Sequence, residues 1–247
     1  MDIKSVLLDV IKHTNGLGII QNIKVTGSTS GTTLAAIDPE KTVIMTATLH
    51  APVPEFEGEF GMGSLGLLSS LTRLSNYQDD GATIEVVREE RNGAEMPSTL
   101  IFKDTEGGKD QYRFMTGKVV DDIMKVATFK GVAWQVEIEP AQKRVAQLAE
   151  AAGIYSGVEP AFSVKTEDGN LIFEVGSTEG GVIGRRVFAS NVKGELGTTW
   201  RWPLSQFLSI LKLGGTQIVR FSEHGACEIE VDSGLGIYKY VMPAING

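Results

Sequence analysis

Apolar and polar residues alternate along most of this chain with a period of two. Four stretches instead repeat near 3.6. They are residues 3–14, with Val6, Leu7, Val10 and Ile11 on one face; 64–74, with Leu65, Leu68 and Leu71; 141–152, with Val145, Leu148, Ala149 and Ala152; and 203–213, with Leu204, Phe207, Leu208 and Leu211. These spacings predict short helices of about three turns each. Pro140 and Pro203 suit helix starts, and Gly153 and Gly214 suit helix ends, because a first turn leaves proline's missing amide unneeded and glycine tolerates the left-handed cap. Strands are predicted over 19–25, 32–37, 43–49, 83–88, 99–103, 111–115, 132–138, 161–165, 171–175, 218–221, 227–231 and 237–242. Asn92-Gly93, Gly107-Gly108, Asp168-Gly169-Asn170 and His224-Gly225 supply tight turns between them,. Strands that arrive in runs joined by tight turns favour antiparallel sheets, so the fold class is α+β with helices on one face of the sheets.

The pattern repeats. Val6 and Leu65 stand 59 positions apart, as do Val145 and Leu204. Helix, several strands, helix, several strands occurs twice in that order, which predicts two copies of one unit. Residues 1–118 and 132–247 are the expected domains. Residues 119–131 are the expected linker, because Asp121-Asp122 and two lysines interrupt the patterning there.

Composition changes this picture little. Of 247 residues, 42% are apolar and 22% charged, as in ordinary globular proteins. Residues 1–14 lack an uninterrupted apolar stretch, so no leader peptide is expected, and no run is long enough to span a bilayer. Cys227 is the single cysteine, which excludes a disulfide within the chain and fits a reducing, cytoplasmic compartment. The net charge of −8 speaks against a uniformly phosphate-binding surface. It still permits an acidic exterior with a locally basic face.

Catalytic patterns are sparse. Gly61-Met62-Gly63-Ser64-Leu65-Gly66 matches the glycine-rich dinucleotide fingerprint, but Pro52, Pro54 and three glutamates in residues 51–60 predict no buried strand leading into it. Ser64 lacks the flanking glycines of a nucleophile elbow. His13, His50 and His224 stand singly, without metal-ligand spacing,. Asp79-Asp80 and Asp121-Asp122 lie in polar stretches expected to be solvated loops. No catalytic residue, metal or cofactor is expected, and the chain reads as a non-enzyme. The helices carry a different signal. Lys4, Lys12, Arg73, Lys143, Arg144 and Lys212 all lie off the apolar stripes, with only Asp2, Asp9 and Glu150 as acidic neighbours. The apolar closing stretch and its proline suggest the wall of a groove for partner peptides.

Three segments resemble the sliding clamps of the trimeric kind, found in tailed bacteriophages, archaea and eukaryotes. They are Leu34-Ala35-Ala36-Ile37-Asp38 before the strand 43–49, the short leucine-rich helix 64–74 before a hairpin, and Tyr238-Lys239-Tyr240-Val241-Met242-Pro243. Short helices and the lack of an acidic C-terminal tail are closer to the bacteriophage branch, which would put the chain in a host cytoplasm. The resemblance implies a DNA clamp fold, two duplicated domains with antiparallel sheets outside and two short helices each lining the interior of a homotrimeric ring. It implies a processivity factor that encircles double-stranded DNA without reading sequence, tethers a DNA polymerase and is opened by a clamp loader, with no membrane role. Lys4, Lys12, Arg73, Lys143, Arg144 and Lys212 would face DNA. Ile37, Ile44, Ile123, Val126, Tyr240, Met242 and Pro243 would form the partner-peptide pocket. The resemblance also implies subunits that join by strand pairing of 109–115 with 182–189, using Tyr112, Arg113 and Phe114 against Arg186, Val187 and Phe188. Two alternatives remain at this point: a β-rich structural virion protein of a head or tail, and a nucleotide enzyme built on the glycine-rich segment.

Overall fold

The computed structural model describes residues 2–91, 93–125, 129–177 and 179–245. The chain divides into two compact units, residues 1–127 with 233–238 and residues 128–232 with 239–247.

The first unit opens with helix α1 (Ile3–His13), capped by the Asp2 carboxylate, which accepts from the Ser5 amide,. Its face of Val6, Leu7, Val10 and Ile11 is buried. Strands β1 (Ile23–Ser28), β2 (Gly31–Ile37), β3 (Ile44–Leu49) and β4 (Gly58–Met62) follow, then helix α2 (Leu65–Leu71). After α2 come β5 (Thr83–Arg91), β6 (Ala94–Lys103), β7 (Lys109–Arg113), β8 (Met115–Thr116) and helix α3 (Gly117–Met124). Burial along β2 and β3 alternates with the two-residue period, so Leu34, Ala36, Met45, Ala47 and Leu49 face the core,. The strands order as β8-β4-β1-β2-β3, with β5-β6-β7 as a separate sheet.

The second unit contains β9 (Val136–Ile138), helix α4 (Gln142–Tyr155), β10 (Ala161–Glu167), β11 (Asn170–Ser177), β12 (Val182–Ser190), β13 (Trp200–Pro203), helix α5 (Leu204–Leu211), β14 (Thr216–Ser222) and β15 (Ala226–Asp232). Strand β16 (Gly236–Pro243) is divided, with 236–238 counted in the first unit and 239–243 in the second. An aromatic cluster fills the second unit's core. Phe173 stacks on Phe188 at 4.2 Å, Phe162 meets Phe207 at 4.7 Å, and Trp202 meets Phe221 edge-on at 5.3 Å,.

Both units set four antiparallel strands between two helices, in the same spatial order. It reads β4-β1-β2-β3 in the first and β13-β10-β11-β12 in the second. A fourth strand returning beside the first is the Greek-key arrangement. The duplication expected from helix spacing is thus present in topology.

Several sequence expectations are corrected. A strand, β4, does lead into the glycine-rich segment. It runs antiparallel to β1, pairing Ile23 with Met62, so the βαβ context of a dinucleotide site is missing. Gly61 has a packing role there: a Cβ on it would lie 2.6 Å from the Cβ of Val120 on α3. Helix α3 occupies a stretch expected to be irregular. Thr116 caps it by accepting from the Val119 amide, and Val120 and Met124, four residues apart, are both buried,. Gly153 does not end its helix, which continues to Tyr155 because the Tyr155 ring lies on β12; a Cβ on Gly184 would meet that ring at 2.7 Å. Pro203 closes β13 and caps α5 instead of entering its first turn.

One ion network braces the second unit. Arg220 Nε donates to Glu137 at 2.6 Å, and its Nη1 donates to Glu228 at 2.6 Å and Glu230 at 3.0 Å. Lys239 reaches Glu230 at 3.2 Å. Burial pushes the Glu230 carboxyl up, but hydrogen bonds from Arg220 and Lys239 outweigh it and hold the group below its ordinary value,. A lowered carboxylate contributes stability above the ordinary carboxylate range and loses it as pH falls through that range. Arg220→Ala leaves buried Glu228 without its cation, whereas Glu230 keeps Lys239 and Glu137 faces water. Urea unfolding at pH 7 is expected to show a loss of about 3 kcal/mol. The gap to wild type should narrow near pH 4, where the carboxylates protonate; a gap that stays constant with pH would rule out charge as its origin.

Candidate nucleic-acid interface

Helices α1 and α2 pack side by side in the first unit, as do α4 and α5 in the second. The six basic residues expected at a nucleic-acid surface therefore fall on or at the ends of two helix pairs. Lys4, Lys12 and Arg73 are at the first, with Arg73 in the turn just past the end of α2, which stops at Leu71 and not at residue 74; Lys143, Arg144 and the cap Lys212 are at the second. Lys12, Arg73, Lys143 and Lys212 are exposed. Lys4 is half-buried and donates to the Tyr77 carbonyl at 2.9 Å, which ties α1 to the turn after α2. Arg144 is also half-buried, its Nη1 donating to Gln147 at 3.2 Å.

Of the acids on these helices, Asp9 alone is turned inward. Asp2 is the cap of α1. Asp9 accepts from Tyr238 at 2.8 Å and from Ser233 at 2.9 Å, and lies 3.3 Å from His13 Nδ1. Burial raises the Asp9 carboxyl, yet the bonds from His13, Tyr238 and Ser233 outweigh it and lower it. His13 in turn stacks on Tyr238 at 4.3 Å. Asp2 and Glu150 are exposed acids. Residues 2–14, 64–73, 141–156 and 203–212 together hold six basic and three acidic residues, a net +3, which leaves −11 for the rest of the chain. These four stretches are thus net positive in an otherwise acidic protein,.

Of the residues expected at a partner pocket, Ile37 and Ile123 share one groove. Ile37 and Ile44 face each other across β2 and β3. Ile37, Pro39, Lys41, Ile123 and Met124 line a groove of about 200 Å³ in the first unit. Ile123 is 54% exposed. Lys24 positions α3 over this groove through ion pairs with Asp121 at 2.8 Å and Glu59 at 3.1 Å. Asp38 fixes the groove's other wall by accepting from the Val43 amide at 2.6 Å and Thr42 at 2.9 Å. Sequence reading missed Pro39, Lys41 and Met124. The spacing of Val120 and Met124 after Thr116 was the signal for Met124. Tyr240 and Met242 are 0% exposed, whereas Pro243 is exposed. Val126 lies outside the described residues.

The expected subunit contacts sit on sheet edges. Strand β7 ends the β5-β6-β7 sheet, and β12 ends the sheet of β10 to β13. Tyr112, Phe114 and Phe188 are buried within their own units. The Tyr112 hydroxyl donates to the Gly63 carbonyl, and burial pushes that phenol up. Arg113 projects outward, and Arg186 and Val187 are half-buried. Among the described residues no group of three or more His, Cys, Asp or Glu is placed to hold a metal, and no helix is long and apolar enough to cross a membrane.

No protein-family model matches the chain. No curated protein matches it either. Solved structures do match. PCNA from Thermococcus kodakaraensis aligns with a TM-score of 0.71 at 12% identity, covering 99% of this chain and 98% of the other. PCNA from A. fulgidus, bound to a C-terminal region of FEN-1, aligns with a TM-score of 0.71 at 10% identity, covering 100% and 97%. Proliferating cellular nuclear antigen from Entamoeba histolytica aligns at 0.67 and 9% identity, covering 98% and 96%. The two duplicated units, their antiparallel sheets and their few short helices have the fold of the DNA sliding clamps.

Proposed function

We propose that this chain is a sliding clamp, a non-enzymatic DNA polymerase processivity factor that closes as a homotrimer around double-stranded DNA. The observation that carries this reading is the likeness to clamps over essentially the whole chain, both units included. A local charge asymmetry supports it: the helices are net positive in an otherwise acidic protein. Lys12, Arg73, Lys143 and Lys212 are the exposed residues proposed to meet DNA phosphates, with Lys4 and Arg144 beside them. Contacts of that kind attract any duplex without reading its bases, which permits sliding.

The groove lined by Ile37 and Ile123, with Ile44 paired to Ile37, is proposed to receive apolar anchors of a polymerase or clamp-loader segment,. The pairing of β7 with β12 of the next copy is proposed to close the ring and cover both sheet edges. Tyr112, Arg113, Phe114, Arg186, Val187 and Phe188 lie at or next to those edges.

Two measurements test the reading together. Sedimentation is expected to give the mass of a trimer. Once loaded, the protein is expected to stay on closed circular DNA and run off linear DNA of the same length. Equal retention on the two topologies would exclude an encircling ring.

A further inference from the structure

We propose that the junction between copies is latched by charge, with Arg144 and Arg186 beside β12 of one copy receiving Asp79 and Asp80 beside β7 of the next. The inference rests on the ring reading above.

The basic side is a groove of about 520 Å³ between α4 and β12, where Arg144, Arg185 and Arg186 outnumber one acid, Glu150. Arg185 already pairs with Glu167 at 2.7 Å. Arg186 Nη1 donates only to the Arg185 carbonyl, at 2.9 Å, and Arg144 to an amide oxygen of Gln147. Among the described residues, neither Arg144 nor Arg186 has a carboxylate partner. Half-buried guanidinium groups without a counter-charge are costly, so an incoming carboxylate would be held strongly. Strand β12 contributes Arg185, Arg186, Val187 and Ser190 to its lining.

The acidic side flanks the other edge strand. The Tyr77 hydroxyl donates to Asp110 of β7 at 2.6 Å, and Asn76 donates to Asp104 at 2.8 Å. These bonds hold the turn after α2 against β7 and the turn that precedes it. The chain at Gly81 passes close to Thr105, since a Cβ there would lie 3.2 Å from it. Asp79 and Asp80 fall between these anchors and are exposed. Asp104 and Asp110 are engaged within the unit, whereas the carboxylates of Asp79 and Asp80 have no cationic partner among the described residues.

Spare charge of opposite sign therefore lies beside the two unpaired edges, basic in the groove on β12 and acidic at Asp79 and Asp80, although β7 itself also exposes Lys109 and Arg113. The occupant argued for is a second copy of this chain, because both halves of the complementarity lie on it. Copies that each carry −8 repel at long range, so close association needs local attraction of this kind. DNA phosphates in the arginine groove would leave Asp79 and Asp80 without a role.

Sedimentation over a concentration series tests the latch. The chains compared are wild type, Arg144→Glu with Arg186→Glu, Asp79→Arg with Asp80→Arg, and a chain with all four substitutions. Wild type is expected to be trimeric. Each pair alone should move the trimer–monomer midpoint to about tenfold higher concentration or more. The four together should restore it, and thermal melts should stay near wild type because the sites are not in the core. Pairs that assemble like wild type, or a four-substitution chain no better than the pairs, would overturn the latch and leave the ring standing. An arginine variant that stays trimeric but leaves circular DNA would reassign the groove to phosphate. A wild-type chain that is monomeric throughout would instead remove the ring reading itself.

Discussion

Met242→Asp is expected to unfold the second unit by about 4 kcal/mol, well before it reports on any peptide groove. Met242 is 0% exposed, and its carbonyl accepts from Trp202 Nε1 at 3.1 Å. Tyr240 and Val241 are buried beside it. A carboxylate at that position has no cation within the aromatic core, and leaving it unpaired costs several kcal/mol whether it stays charged or takes up a proton. Domain stabilities are only about 5–15 kcal/mol, so the loss is a large share of the total. Urea unfolding followed by tryptophan fluorescence reads it directly, because Trp202 is buried against Phe162 and Phe221. Ile123→Asp is the contrasting case. Its side chain is 54% exposed on α3, so stability should change by no more than about 0.5 kcal/mol. Any loss of peptide binding in that variant would then belong to the groove. A Met242→Asp protein with the wild-type urea midpoint would show that β16 is not the core strand described here.

The contrast between these two residues marks what was legible from sequence. Alternation identified β2, β3, β10, β11, β14, β15 and β16 as strands. It does not say what covers each face. Both faces of β16 are covered around Tyr240, Val241 and Met242, so an apolar closing stretch that suggested a groove wall is core. The duplication was legible because helix spacing survives divergence of the strands between. Helix α3 was not, because Asp121 and Asp122 on its exposed side masked the Val120 and Met124 pair. Strand β4 was hidden by Gly58 and Gly61, which lower strand propensity and are there for another reason: Gly61 lets α3 lie on the sheet. At the candidate interface the residue types were legible and their partners were not. The bond from Lys4 to the Tyr77 carbonyl joins residues 73 positions apart, and no local pattern encodes it.

Reversing Lys12, Arg73, Lys143 and Lys212 to glutamate is expected to abolish retention on circular DNA while leaving a trimer. These four are the exposed cations of the two helix pairs. Their reversal turns the helices' net +3 into −5 per chain, so a face that attracted phosphates would repel them. Each phosphate contact contributes roughly −0.9 to the slope of log affinity against log salt. Loss of even two contacts per chain should lower DNA association by about 100-fold or more near physiological salt. Lys212 ends α5, where a negative charge opposes the helix dipole by up to about 1 kcal/mol. Melting and mass are therefore measured on the same samples, so that a folding defect is not read as a DNA defect. The control carries the same change in total charge on other surfaces. Lys118, Lys125, Lys130 and Lys193 are exposed and lie outside the four helices. Their reversal also adds −8, yet should reduce retention only through weak long-range repulsion that salt screens over about 10 Å. If the two variants lose DNA equally, total charge governs binding and the helices have no privileged face. If only the helix variant loses it, the positive charge of an acidic protein has been located where a duplex would pass.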